Sequence, residues 1–346
     1  MVRKISTTFL LLLFLASAQA RSAEGPGWDP LFTSDEVLEA TLTAPLTTIT
    51  KNRSVEEELP GTLRIGNRDY EVAVRARGRF RRDKDICDFP PLRLNFKKSE
   101  TKDTLLHGSD KVKLVTHCED GSTRYDQYVI REYLAYRILN ILTDDSFGAR
   151  LLRITYVDSE GKRKDREHFG VLIEHRDRLA KRRSREYLEI PKTTVASLDP
   201  AHTNIVSLYQ YLIGNTDFSP VQGSPGEPCC HNHVLFGNEG EPFVSIPYDF
   251  DQSGIVDAEH AGPNPRFNLR DVTQRLYRGR CVNNHLLPQT IDLFKAKRPE
   301  IEALITNLDG MAKNSRRKVL SYLDRFYKVI ETPKSAERPL VKACLK

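Results

Sequence analysis

Asp217 closes the run Gly214-Asn215-Thr216-Asp217, Asn232 opens Asn232-His233-Val234-Leu235-Phe236, and Asp249 and Asp251 follow the apolar stretch that ends Ile246-Pro247-Tyr248. An Asp on the loop after a helix, an Asn on the first strand of a hairpin and an Asp just after the second strand suit phosphoryl transfer from ATP. In that arrangement Asp217 orients the attacking hydroxyl and accepts its proton. Asn232 and Asp249 hold Mg2+ against the phosphates, with Asp251 as an additional ligand. Mg2+ is a hard cation that wants oxygen donors, and these side chains supply them. A strand ending in two acids also puts charge at the rim of the core, where unpaired carboxylate is costly to bury and a bound cation offsets the cost. The ordinary alternative for Asp217 is a turn acid bonded to its own backbone.

Other chemistries draw on the same stretch. Asp249, Asp251, Ser253, Gly254 and Asp257 have the order of a calcium loop, with His260 standing where the bidentate Glu belongs. On that reading the chain is a non-catalytic envelope or extracellular binding protein with a Ca2+ loop at 249–260. A metal-dependent phosphatase ranks third, because Asp249-Phe250-Asp251 after an apolar strand resembles the nucleophile strand of the haloacid-dehalogenase phosphatases. His231 and His233, two apart on a strand, would share a side and with Cys229 could hold zinc, although a disulfide beside two polar histidines explains them more simply. His117 and His168 have no partner visible in the sequence.

The elements that must position these residues change character along the chain. Residues 37–43, 62–65, 70–76, 92–96, 112–116, 152–157 and 169–174 alternate or run apolar and predict strands. One helix interrupts them at 126–142, with Val129, Ile130, Tyr133, Leu134, Ile138, Ile141 and Leu142 near a 3.6-residue period. Asp199 as N-cap, Pro200 in the first turn and Gly214 as the stop predict a helix that delivers Asp217. A hairpin around Asn238-Glu239-Gly240 delivers Asn232 and Asp249, and the pattern beyond residue 285 is helical. The expectation is an α+β fold in two lobes: a strand-rich lobe over 36–178, a helical lobe over 179–332 carrying the metal loop, and a tail over 333–346.

Several motifs in register resemble the CotH spore-coat kinase family and, more distantly, HipA-type kinases. The run Gly214 to Asp217, the Asn232 run and Ile246-Pro247-Tyr248-Asp249-Phe250-Asp251 resemble that family's catalytic segments. Arg75-Ala76-Arg77-Gly78, Leu92-Arg93-Leu94-Asn95-Phe96, Arg131-Glu132-Tyr133-Leu134-Ala135-Tyr136 and Phe169-Gly170-Val171-Leu172-Ile173-Glu174 are similar to its amino-terminal segments in the same order. The resemblance covers about residues 75–257. It implies an atypical protein-kinase-like fold with ATP between two lobes, and Glu174 near the adenine. The phosphate-binding cation stays open among Arg77, Arg93 and Lys113, and Glu132 could pair with Lys113 or Arg93 to position a phosphate. A protein hydroxyl is the implied acceptor.

Composition bounds the rest. The chain has 346 residues with a formal net charge of +6, 29% charged and 39% hydrophobic, which is a folded and not a disordered or multi-span composition. Arg3 and Lys4, an apolar run and Ala18-Gln19-Ala20 predict a cleaved secretory signal over 1–20, followed by a loose leader over 21–35, with no membrane span in the mature chain. A charge this small does not imply nucleic acid; the basic stretches 75–84 and 176–185 could bind phosphates locally, and solvated faces are the simpler reading of both. Secretion favours disulfides among the six cysteines. The character of the flanking segments favours Cys87 with Cys118, and Cys229 or Cys230 with Cys281. The oligomeric state has no signature in the sequence.

Overall fold

A computed structural model describes residues 27–54 and 56–346. The expected signal at 1–20 and the first part of the leader lie outside the described residues. Strands form where alternation predicts them: β1 (Leu38–Ala44), β2 (Leu59–Ile65), β3 (Arg68–Ala76), β4 (Leu92–Phe96), β5 (Lys111–Val115), β6 (Ala149–Asp158) and β7 (Arg166–Ile173). They close into a seven-stranded barrel in the order β1-β2-β3-β4-β5-β7-β6. Every contact is antiparallel except the closing one, where β1 runs parallel to β6 with Leu38 opposite Leu152 and Ala44 opposite Asp158.

This closure overturns the expected two-lobed protein-kinase-like fold. Alternation tells which side chains of a strand face inward, but not which distant strand completes the ring. The inward residues, among them Leu42, Leu63, Val74, Leu94, Leu114 and Ile154, fill the barrel and form one core.

The helices are α1 (Leu46–Lys51), α2 (Lys98–Thr101), α3 (Thr123–Leu142), α4 (Arg176–Arg182), α5 (Pro200–Ile213), α6 (Leu287–Asn307), α7 (Lys313–Val329) and α8 (Pro333–Ala336). A second core forms where α3 and the outer face of β7 meet α5, α6 and α7. Tyr133, Leu134 and Ile138 of α3 and Val171 of β7 pack there with Leu208 and Leu212 of α5 and Phe294 and Phe326 of the last helices. The long helix of the strand-rich half is thus buried in a core shared with the helical half. The small sheet of that half has the order β10-β9-β8, made of β8 (Glu186–Leu188), β9 (His233–Gly237) and β10 (Val244–Pro247).

Two further expectations are corrected. Residues 27–35 are not loose: Leu31 and Phe32 are buried in the barrel core, Trp28 packs under the Arg182 guanidinium at 3.5 Å, and Asp29 pairs with Arg178. The expected Cys87–Cys118 disulfide forms, but Cys229 bonds to Cys230 and Cys281 to Cys344. The tail explains the last pair, since Cys281 N donates to Leu345 O at 2.9 Å and so lays residue 344 beside Cys281. No helix among the described residues is long and apolar enough to cross a membrane.

Candidate active site

The β9–β10 hairpin places Asn232 and Asp249 side by side. His233 is opposite Pro247 in the register, and just outside that pair Tyr248 N donates to Asn232 O at 3.0 Å. Both residues leave the strand in the left-handed region, Asn232 at φ 52° and Asp249 at φ 65°. Asn and Asp are the non-glycine residues that tolerate this best, and its cost persists only where the surroundings over-determine it. At Asp249 the hold is explicit, its N–H donating to the Tyr136 hydroxyl of α3 at 2.9 Å.

Asp217 reaches the same place from α5. Asp199 caps that helix by accepting from His202 N at 2.7 Å, and Gly214 at φ 66° ends it, in line with the sequence. Asn215 Oδ1 then accepts from Asp217 N at 2.9 Å, so the turn is built by a side chain. Asn232 Nδ2 donates to the Asp217 backbone oxygen at 2.7 Å and to Asp217 Oδ2 at 3.0 Å, while His231 Nε2 lies 2.9 Å from Oδ1. The side chain that builds the turn is thus that of Asn215 and not of Asp217, whose carboxylate meets Asn232 and His231. The Asp217 side chain keeps 35% of its surface, so the carboxylate is open to solvent.

The pairing of His231 with His233 does not form. The left-handed turn at Asn232 breaks the strand alternation, so His231 faces Asp217 while His233 is buried against Ser245 Oγ at 3.0 Å and Gln210. Burial pushes His233 down to about 3, leaving it a neutral imidazole.

A row of cations crosses the outer face of the barrel opposite this hairpin. Arg75 of β3 is in register with Arg93 of β4, and Arg93 with Lys113 of β5. Like charges directly opposite one another are destabilising, so the row calls for anions. Glu58 serves one end, its Oε1 lying 3.8 Å from both Arg75 Nε and Arg93 Nε. At the other end Lys113 Nζ lies 4.3 Å from the ring centroid of Tyr248, the residue next to Asp249. Burial, with the Arg77 charge nearby, pushes the Lys113 ammonium down to about 7 against the pull of Asp249. Of the three cations left open by the sequence, Arg77 and Lys113 both act on Asp249, and Arg93 stands next in the row.

Glu132 of α3 does not pair with Lys113 or Arg93. Its Oε2 lies 3.5 Å from Arg81 Nη1, and both side chains are almost fully buried. Arg81 was hidden in the basic stretch 75–84, whose charge density reads as solvated face. Burial, with the Asp251 and Asp249 charges adding to it, pushes the Glu132 carboxyl up. Glu132 Oε1 and Arg81 Nε have no hydrogen-bond partner among the described residues. Burial and the neighbouring Asp251 also hold Asp249 above the usual carboxylate range. For Asp251 burial acts in the same sense, but His260, 3.6 Å away, and Arg81 outweigh it and hold this carboxyl low. Two acids held in opposite senses, beside orphaned polar atoms, fit a site that takes a cation and an anion together.

Glu174 is placed differently. Its carboxylate accepts from Arg182 Nε at 3.0 Å, Arg182 Nη2 at 2.9 Å and Gly148 N at 2.9 Å, which occupies both oxygens. In the 249–260 stretch the Ser253 hydroxyl donates to Phe250 O at 2.6 Å and Asp257 pairs with Lys318 of α7. Ser253 and Asp257 are thus engaged with partners of their own at positions where a Ca2+ loop would use them as ligands. Two clefts open elsewhere, one beside Phe218, His233 and Arg278 and one beside Asn52, Glu57 and Arg75, and neither contains Asp217, Asn232 or Asp249.

Set against known proteins, the chain matches no family model and no curated protein sequence.

Proposed function

We propose that this chain is an exported phosphotransferase that moves a phosphoryl group from ATP to a protein hydroxyl with Mg2+. The observation that carries the reading is the convergence of Asp217, Asn232 and Asp249, which lie far apart in sequence, opposite the Arg93–Lys113 end of a cation row. Asn232, Asp249 and Asp251 would hold the metal, whose role is to neutralise phosphate charge. Lys113, Arg77 and Arg93 would meet the phosphates, Arg81 and Glu132 would brace the acids from behind, and Asp217 would take the acceptor's proton. The motif resemblance to the CotH family points the same way, but the reading rests on this site and not on a kinase frame. Disulfides among the cysteines and the signal pattern at 1–20 support an exported chain.

Thermal unfolding tests this directly. With ATP and Mg2+ together at about 100 times Kd, the wild-type chain gains ~2.7 kcal/mol of stability, and Asp249→Ala gains nothing. A gain with Ca2+ alone would favour the binding-protein reading, and phosphate release from simple esters that depends on Asp249 would favour the phosphatase.

The Lys113 ammonium supplies a pH test. A phosphate beside it favours the charged form, so nucleotide binding above pH 7 takes up a proton and weakens as the pH rises. Calorimetry in buffers of different ionisation heat reads this uptake, and a buffer-independent enthalpy at about pH 8 would remove Lys113 from the phosphate contact. In the ligand-free chain the folded value lies below the ordinary 10.5, so the unfolded chain binds more protons between about 7 and 10.5. Stability therefore rises with pH across that window.

A further inference from the structure

The turn that carries Asp217 is braced by a segment rich in arginine. Arg278 Nη1 donates to Thr216 O at 3.1 Å and to Phe218 O at 2.6 Å, the two carbonyls on either side of Asp217. Asn264 Nδ2 donates to the same Thr216 O at 3.0 Å, and Asn264 Oδ1 accepts from Arg266 N at 3.0 Å. The Arg278 guanidinium lies 4.4 Å from the centroid of the Phe218 ring and 5.0 Å from that of Phe267, which fixes where it points. Its Nε is buried with no hydrogen-bond partner among the described residues. Arg266 is exposed and Arg280 half-buried.

Among the described residues none of these three arginines forms an ion pair. Burial, with the Arg280 and Arg266 charges adding to it, pushes the Arg278 guanidinium down to about 10 against the pull of Asp217. Like charges gathered without a counter-ion make a field that an anionic partner relieves. Arg278 and Arg280 also line the cleft beside Phe218, together with Leu198, Pro220 and Leu345. At its edge Leu345 keeps 37% of its surface and Val282 69%, each next to one half of the Cys281–Cys344 disulfide. The face beside Asp217 is thus cationic close to the carboxylate and apolar beyond it.

We propose that Arg266, Arg278 and Arg280 form the acceptor-docking face of the candidate site, and that it takes an acidic peptide segment, with Asp or Glu flanking the hydroxyl that meets Asp217. The inference rests on Asp217 serving the acceptor side of a phosphotransferase. Guanidinium groups suit this partner because their planar fork matches a carboxylate with two hydrogen bonds. Arg278 also positions the Asp217 turn, while Arg266 and Arg280 meet the flanking acids. The exposed Val282 and Leu345 receive an apolar side chain further along the segment.

The test titrates the full chain with two fluorescent peptides that differ only in carrying Glu or Gln around a single Ser. The same titrations are run on the double variant Arg266→Gln with Arg280→Gln, Arg278 being kept because it holds the turn. The wild-type chain should bind the Glu peptide about 10-fold more tightly than the Gln peptide, a preference that shrinks with added salt and is lost in the double variant. Circular dichroism checks that the variant is folded. Equal binding of the two peptides by the wild type, or a Glu preference retained in the folded variant, overturns the proposal. Displacement of the Glu peptide by an equal concentration of heparin does so too, since it would make the face a general polyanion surface. Transfer from ATP and Mg2+ to the Ser is measured on the same peptides. Glu-selective binding with no transfer to either peptide overturns the phosphotransferase reading and leaves the arginine face as a binding site. Equal transfer to both peptides overturns the docking face and leaves the phosphotransferase.

Discussion

Asp217→Asn should lower phosphoryl transfer by about 10²–10⁴-fold while leaving nucleotide affinity close to wild type, the loss expected when a positioned general base is removed. The geometry makes this split sharp. The Asp217 carboxylate touches Asn232 and His231 but none of the cations, so it contributes to the acceptor side and not to the phosphates. An Asn can still accept from Asn232 Nδ2 through its own oxygen, which keeps the hairpin in place. Single-turnover transfer to a protein acceptor, measured beside a nucleotide titration, reads the two quantities separately. Loss of affinity in step with loss of rate would make Asp217 part of the metal site, and unchanged turnover would pass the base role to His231.

Glu174→Ala should destabilise the chain by about 3–5 kcal/mol, the largest stability effect expected of one substitution here. The reason is what it strands. Arg182 keeps only 2% of its side-chain surface and Glu174 1%, so removing the acid leaves an uncompensated guanidinium in the interior. Arg182 would retain Asp144 O at 3.0 Å, Ser146 O at 2.7 Å and the Trp28 ring, which bounds the loss. Urea unfolding of Glu174→Ala and of the double change Glu174→Met with Arg182→Met gives the check, the double variant recovering most of the stability because no charge remains buried. A near-neutral Glu174→Ala would return this residue to consideration as a nucleotide contact.

The strands, the α5 caps and the hairpin were legible because each depends on residues near in sequence: alternation, Asp199 before Pro200, Gly214 after Ile213. The ring was not legible, since β1 and β6 pair across most of the strand-rich half and nothing in either strand names the other. At the candidate site Asp249 and Asp251 stood out because two acids end an apolar strand, and Asp217 and Asn232 because their places after a helix and before a strand complete the set that phosphoryl transfer uses. Their partners did not. Arg75, Arg93 and Lys113 alternate with buried residues and look like ordinary outward charges until register sets them in a row. Arg81 and His260 are ordinary residues in polar stretches, and only the fold turns them toward Glu132 and Asp251. The left-handed turn at Asn232 likewise cancelled an alternation argument that was sound for a regular strand.

The parallel closure also sets an order of events during synthesis. Leu38 waits for Leu152, so β1, made well before β6, is among the last of the barrel strands to find both neighbours. Until then β1 is an open edge with unsatisfied amides, a template for pairing with another chain. Maturation is therefore most vulnerable between the appearance of β2 and the arrival of β6. A holdase that masks β1 through this interval should raise the yield of folded protein, while one that acts only after β6 has emerged should not.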